Sequence, residues 1–191
     1  TYYLRVFDTA PVGLNFDLCI GSPARPVNDD CAGAVSVPVQ SGFACAQPTA
    51  IHTFGATSAV PGCFGEVASD VWLRFTSPGS AVRLWSEITG LQREALHGWE
   101  LFEGDCGALK PLGKCWEVNH SGAEIIAGLK AGTRYYLRLY TPRHNWIALN
   151  VCLQQMPEPP SNDDCAKATV IVPNKEIRCE QVETGTTLGA T

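Results

Sequence analysis

Apolar and polar residues alternate at every second position through much of this chain, in short runs separated by Gly, Pro, Asn and Ser. That period marks strands with one buried face. Tyr2-Tyr3-Leu4-Arg5-Val6-Phe7 shows it first, then a turn through Pro11-Val12-Gly13, then Leu14-Asn15-Phe16-Asp17-Leu18-Cys19. Val35, Val37 and Val39 alternate next. The spacing predicts further strands over 49–56, 71–75, 81–88, 98–102, 123–126, 134–140 and 146–152. Lys130-Ala131-Gly132-Thr133 reads as a tight turn leading into Tyr135, and only 91–96 has a helical flavour. Many short strands at this spacing predict an all-β, antiparallel, jelly-roll-like sandwich.

The pattern repeats itself. Tyr2-Tyr3-Leu4-Arg5 returns as Tyr135-Tyr136-Leu137-Arg138 and Cys19 as Cys152, at an offset of 133. One inserted residue later, Asn28-Asp29-Asp30-Cys31-Ala32 returns as Asn162-Asp163-Asp164-Cys165-Ala166, Cys45 as Cys179, and Gly55-Ala56-Thr57 as Gly189-Ala190-Thr191, at 134. The chain therefore reads as a stretch of a tandem array. Residues 1–20 are the last strands of one repeat, 21–27 a linker and 28–153 a complete repeat; 154–161 form a Pro-rich linker, and 162–191 begin the next repeat. Arrays of surface domains are usually spacers, adhesins or filaments.

Composition narrows the class. Charged residues make up 17%, and 18 Gly and 13 Pro point to many turns rather than a helical bundle. A net charge of -5 argues against nucleic-acid binding, which needs a basic face. Apolar runs are too short to span a membrane.

Nine cysteines stand along the chain with no C-x2-C pair of the kind zinc sites use, so they read as disulfide partners in an oxidising, extracellular setting. Each repeat owns six: Cys31, Cys45, Cys63, Cys106, Cys115 and Cys152. Cys106 and Cys115 flank a short hairpin-like excursion and are expected to pair. Two schemes remain open for the others. One joins Cys31 to Cys45 and Cys63 to Cys152, leaving Cys19 over; the second joins Cys19 to Cys31, Cys152 to Cys165 and Cys45 to Cys63, leaving Cys179 over.

Taken together, several motifs resemble a known family. Asn28-Asp29-Asp30-Cys31-Ala32-x-Ala34 is followed by Gly55-Ala56-Thr57 and Asp70-Val71-Trp72-Leu73-Arg74-Phe75. Then come Leu101-Phe102-x-Gly104-x-Cys106-Gly107-x-Leu109 and Ala131-Gly132-Thr133-x-Tyr135-Tyr136-Leu137-Arg138. This order is similar to the bacterial pre-peptidase C-terminal jelly-roll domains, in the cysteine-rich version repeated in large secreted surface proteins of Bacteroidota-type bacteria. The resemblance implies a secreted accessory β-sandwich, often in tandem, some relatives of which bind Ca²⁺ or a polymeric substrate. Asn28, Asp29, Asp30 and Asp70 occupy the acidic stations for such a cation. No Glu precedes Asn28, where Arg25-Pro26-Val27 stands; only the second copy has Glu158.

Asn28, Asp29 and Asp30 offer oxygen ligands to Ca²⁺, or else Asp29 or Asp30 caps a helical turn from Cys31 and the group satisfies linker N–H donors. His52, His97, His120 and His144 lack metal or catalytic spacing and read as solvated. Glu87, Glu94, Glu100, Glu103 and Glu117 stand in polar surroundings with no sign of perturbed acidity, so no enzyme is expected. Trp72, Phe75 and Tyr136 belong to the core, whereas Trp85, Trp99, Trp116 and Trp146 are either core plugs or exposed rings. Trp146 is matched by Gly13 in the other copy and is expected in an exposed loop, where it could contact a ligand.

The expected function is a structural or adhesive segment of a long secreted or cell-surface repeat protein, forming a stalk, fibre or filament. Its partners would be neighbouring repeats or subunits, or surface glycans and environmental polymers. The alternative is a carbohydrate- or protein-binding module of a secreted hydrolase, with or without Ca²⁺. A further variant has separate chains complementing each other's unfinished ends by strand addition.

Overall fold

A computed structural model of the chain describes residues 3–7, 13, 15–58, 61–89, 95–142, 146–157, 159–175, 178, 182–185, 187 and 190. Ten strands form two sheets: β1 Val35–Ser36, β2 Val39–Gln40, β3 Thr49–His52, β4 Ser69–Thr76, β5 Ala81–Ile88, β6 His97–Glu103, β7 Lys110–Val118, β8 Gly122–Ala127, β9 Arg134–Thr141 and β10 Ala148–Gln155. The first sheet runs β1-β4-β9-β6-β7; the second runs β2-β10-β5-β8, with β3 also on β10. From β3 onward every connection but the β6–β7 hairpin changes sheet. That winding is a jelly roll.

Alternation along the strands builds the core. Val71, Leu73 and Phe75 of β4, Trp99 and Leu101 of β6, and Leu137 and Leu139 of β9 pack against Val82, Leu84 and Ile88 of β5 and Leu149, Val151 and Leu153 of β10. Each such side chain, fully buried, stabilises the fold by about 1.5–3 kcal/mol. Trp99 is therefore a core plug, whereas Trp85 and Trp116 are half-buried and Trp146 is 46% exposed.

Three expectations change. The sheets are mixed, because β1 pairs with β4 and β2 with β10 in parallel. The run from Val35 to Gln40 crosses between the sheets at Pro38, and a crossing segment cannot return as a hairpin. Strand β7 carries no clean alternation: Pro111 and Gly113 lie in it, which an edge strand tolerates. Strand β10 continues through Gln154 and Gln155, which alternation had assigned to the linker. The 91–96 segment lies outside the described residues, apart from Ala95 and Leu96.

The Asn-Asp-Asp-Cys-Ala motif forms the same 3-10 turn in both copies, Cys31–Gly33 and Cys165–Lys167. Gly33 N–H bonds the Asp30 carbonyl at 2.9 Å, and Lys167 N–H bonds Asp164 at 2.9 Å. By contrast, described residues 3–7 and 15–20 carry no strand.

The two linkers lie at opposite ends of the sandwich. At the leading end β3 and β9 finish and β4 and β10 begin, with Ala148 beside His52 and Ser69 beside Thr141. The 21–27 linker reaches this end, where the Pro23 and Ala24 carbonyls crowd Gly55, so that an added Cβ would sit 3.0 and 2.8 Å from them. At the trailing end β10 finishes at Gln155 beside Val82, and the following linker departs. The rise of β10 separates the ends by roughly 25 Å.

Candidate functional site

The acidic motif sits at the leading end, and its residues are already engaged. The 3-10 turn brings Asn28 against β4, where its Nδ2 donates to the Trp72 carbonyl at 3.1 Å and its own carbonyl accepts Trp72 N–H at 2.7 Å. Asn28 thus extends the ladder beside β1. Buried Asp29 accepts the Thr57 N–H at 2.6 Å and the Thr57 hydroxyl at 2.9 Å. Arg25 Nε donates to the same carboxylate, and its Nη2 lies 3.4 Å from exposed Asp30 and 3.1 Å from the Thr57 hydroxyl. The side chain of Asp30 makes no capping bond. The capping expectation is thereby corrected: the turn closes on backbone bonds, and Asp29 instead fastens the linker and the 53–58 segment together.

Asp70, at the start of β4, faces the first sheet's outer side. There it accepts Arg138 Nε at 2.9 Å and Nη2 at 2.5 Å, and the Ser58 hydroxyl at 3.0 Å. Arg138 is 1% exposed and also donates to the Pro61 carbonyl at 3.0 Å and Glu100 at 3.3 Å. Its guanidinium lies over the Trp72 and Tyr140 rings, at 5.9 and 5.8 Å. Burial pushes the Asp70 and Glu100 carboxyls above their usual range, and Arg138 opposes that rise. A buried pair of this kind costs about 3–5 kcal/mol to break by removing one partner.

The calcium expectation for Asn28, Asp29, Asp30 and Asp70 meets this geometry directly. The structure brings Asn28, Asp29 and Asp70 to one end of the sandwich, with Asp30 pointing to solvent. Arg25 already faces Asp29 and Asp30, and Arg138 already holds Asp70. With two fixed cations and two Thr57 donors on these carboxylates, the set does not fit a further dication, which needs six to eight free oxygen ligands.

The disulfides differ from every pairing that spacing suggested. Cys31 joins Cys106, Cys45 joins Cys152 and Cys63 joins Cys115, with Cα separations of 5.6, 5.9 and 6.3 Å. Cys106 cannot meet Cys115, because Cys106 lies in the β6–β7 turn and Cys115 lies halfway along β7, about 16 Å up the strand. Cys31 and Cys63 lie over the first sheet's outer side, whereas Cys45 and Cys152 lie over the second's. That separation excludes Cys31–Cys45, Cys63–Cys152 and Cys45–Cys63. Cys152 and Cys31 are bonded within the unit, so neither is available to Cys165 or Cys19, which are free and exposed; Cys179 lies outside the described residues. Bridges spanning 75, 107 and 52 residues are each worth about 4 kcal/mol in the chain-entropy picture. They place the protein in an oxidising environment.

Glu100 lies within 4.8 Å of the Cys63 and Cys115 sulfurs, but sulfurs joined in a disulfide are not thiolate ligands. His97 is 0% exposed, against the expectation of a solvated ring: its Nδ1 lies 2.8 Å from the Ala95 carbonyl, and burial lowers its pKa. His52 and His120 are exposed, and His144 lies outside the described residues. No histidine is bonded to a carboxylate among the described residues. No described helix is long and apolar enough to cross a membrane.

Trp146 stands at the leading end as an exposed ring, edge-on to Phe54 at 6.2 Å, with Phe54 5.5 Å from His52. Sequence reasoning missed Arg138 and Glu100. The one available signal was the isolated Arg within the apolar Tyr-Tyr-Leu-Arg-Leu-Tyr run. No protein-family model matches the chain, and a search of curated proteins also found no match.

Proposed function

We propose that this chain is a segment of a secreted, cell-surface array of jelly-roll repeats that serves as a stalk, fibre or extracellular filament. The observation that carries it is the placement of the linkers. One is fastened at the leading end by Arg25, Asp29 and Gly55, and the other departs from the trailing end at Gln155. Repeats joined at opposite ends propagate in a line. The three disulfides of the unit suit an exposed structural element, and the likeness to the pre-peptidase C-terminal domains agrees with it.

Electron microscopy of the natural polypeptide tests the proposal. A beaded rod is expected, and units tumbling freely about their linkers would overturn it. The second reading, a glycan- or protein-binding module, draws on the exposed Trp146–Phe54–His52 aromatics. A glycan and matrix array that shows no binding, with or without Ca²⁺, removes that reading.

A further inference from the structure

The linker is shorter than its appearance in the sequence suggests. Strand β10 ends at Gln155, and the position equivalent to Gln155 in the preceding copy is Ser22, or Gly21 if the inserted residue falls earlier. From Pro23 onward the chain already lies on the next sandwich: Pro23 and Ala24 against Gly55, Arg25 on Asp29, and the Pro26 carbonyl accepting Asp29 N–H at 3.2 Å. At most one residue, spanning about 3.5 Å, then separates the end of one sandwich from its docking point on the next. Two end faces tethered that closely must touch.

Both faces carry apolar surface. At the leading end Trp146 is 46% and Leu96 39% exposed, with Phe54 beside the docked linker. At the trailing end a groove of about 400 Å³ lies between Phe43 and the departing Met156 and Pro157.

Resting on the array reading above, we infer that the leading end of the complete repeat, through Trp146, Phe54 and Leu96, packs on the trailing end of the repeat before it, with Leu188 taking the place of Phe54 in the following repeat. In this unit the receiving surface is the groove at Phe43 and Met156. The occupant is a second copy of the fold, brought there by the linker. Gly13 at the Trp146 position of the other copy makes neighbouring junctions unequal, so stiffness varies along the array.

Thr191 corresponds to Thr57, so fusing residues 58–157 after the full chain completes the second unit on its native linker. Trp146→Phe in the first unit leaves a single Trp146, at the junction. Hydroxyl-radical footprinting is expected to show that ring protected several-fold relative to Trp146 of the 191-residue chain. Phe43→Ser with Met156→Ser in the first unit should abolish the protection without disturbing the disulfides, as checked by mass. X-ray scattering on the same sample separates the two claims. A rigid rod with an unprotected Trp146 overturns this interface and leaves the array reading standing; freely jointed units overturn both.

Discussion

The two outer faces of this sandwich are built on different principles. Over the first sheet, Trp72, Tyr136, Arg138 and Tyr140 are roofed by residues 56–58 and 61–65 and the β6–β7 turn, held by Cys31–Cys106 and Cys63–Cys115. Over the second sheet, Cys152 is sealed beneath the loop bearing Cys45 and Gln154 is buried beside Arg83, while Ile125 is 62% exposed and Trp85 half-buried. The first face is a second core with an ion pair inside it; the second is ordinary surface. Asn28, Asp29, Cys31, Thr57, Tyr136 and Arg138 on the first face recur in the other copies; on the second face the cysteines recur, Cys45 as Cys179 and Cys152 as Cys19, whereas Asn150 and Gln154 become Asp17 and Gly21. What looked like a ligand motif is the means by which this sandwich seals one face and fastens the segment that precedes it.

The sharpest way to break the contrast is Arg138→Ala. Leaving Asp70 buried without its partner should cost about 3–5 kcal/mol in denaturant unfolding. Replacing the pair together, Arg138→Met with Asp70→Leu, should recover much of that loss. Removing Cys31 and Cys106 together, each to Ala, should cost about 2–4 kcal/mol. Peptide mapping without reduction should first show 31–106, 45–152 and 63–115, and a 106–115 link would overturn the arrangement.

Thr57→Val removes one hydroxyl donor from buried Asp29 and should cost about 1–2 kcal/mol, while raising protease sensitivity near residues 21–27. Acid acts through His97. Its folded pKa is lowered, so the unfolded ring takes a proton first. Its contribution is intact above about pH 6.5 and is lost as pH falls below that value towards the folded pKa. The raised Asp70 and Glu100 act in the opposite sense. The readout is therefore the difference between wild type and His97→Leu, which should diminish from pH 7 to pH 5. Smallest of all, Ile125→Lys on the second face should change stability by less than about 0.5 kcal/mol. A loss comparable to that of Arg138→Ala would erase the distinction between the faces.

Strands with strict alternation were legible: β5 matches its expected bounds, and β4, β6 and β9 extend theirs by one or two residues. Strand β7 was not, because its edge position permits Pro111 and Gly113 where a central strand would not. Asp70 and Asp29 were singled out correctly as unusual, but for the wrong chemistry. Their partners Arg138 and Thr57 lie 68 and 28 residues away. Glu100 looked solvated because nothing in its own neighbourhood shows that Pro61 and Cys63 come to lie beside it.

Local rules sufficed where the interactions are local. The strand periodicity and the Asn-Asp-Asp-Cys turn, formed alike at Cys31–Gly33 and Cys165–Lys167, follow from residues a few positions apart, and the repeat and the oxidising setting from comparing and counting residues along the chain, with no knowledge of contacts. The tertiary structure decided the disulfide pairing, the parallel crossing at Pro38, the burial of Arg138 and the opposite placement of the linkers. Each of these depends on which sheet face a residue joins. A strand's period of two states that there are two faces, but only the packing of distant strands determines what covers each.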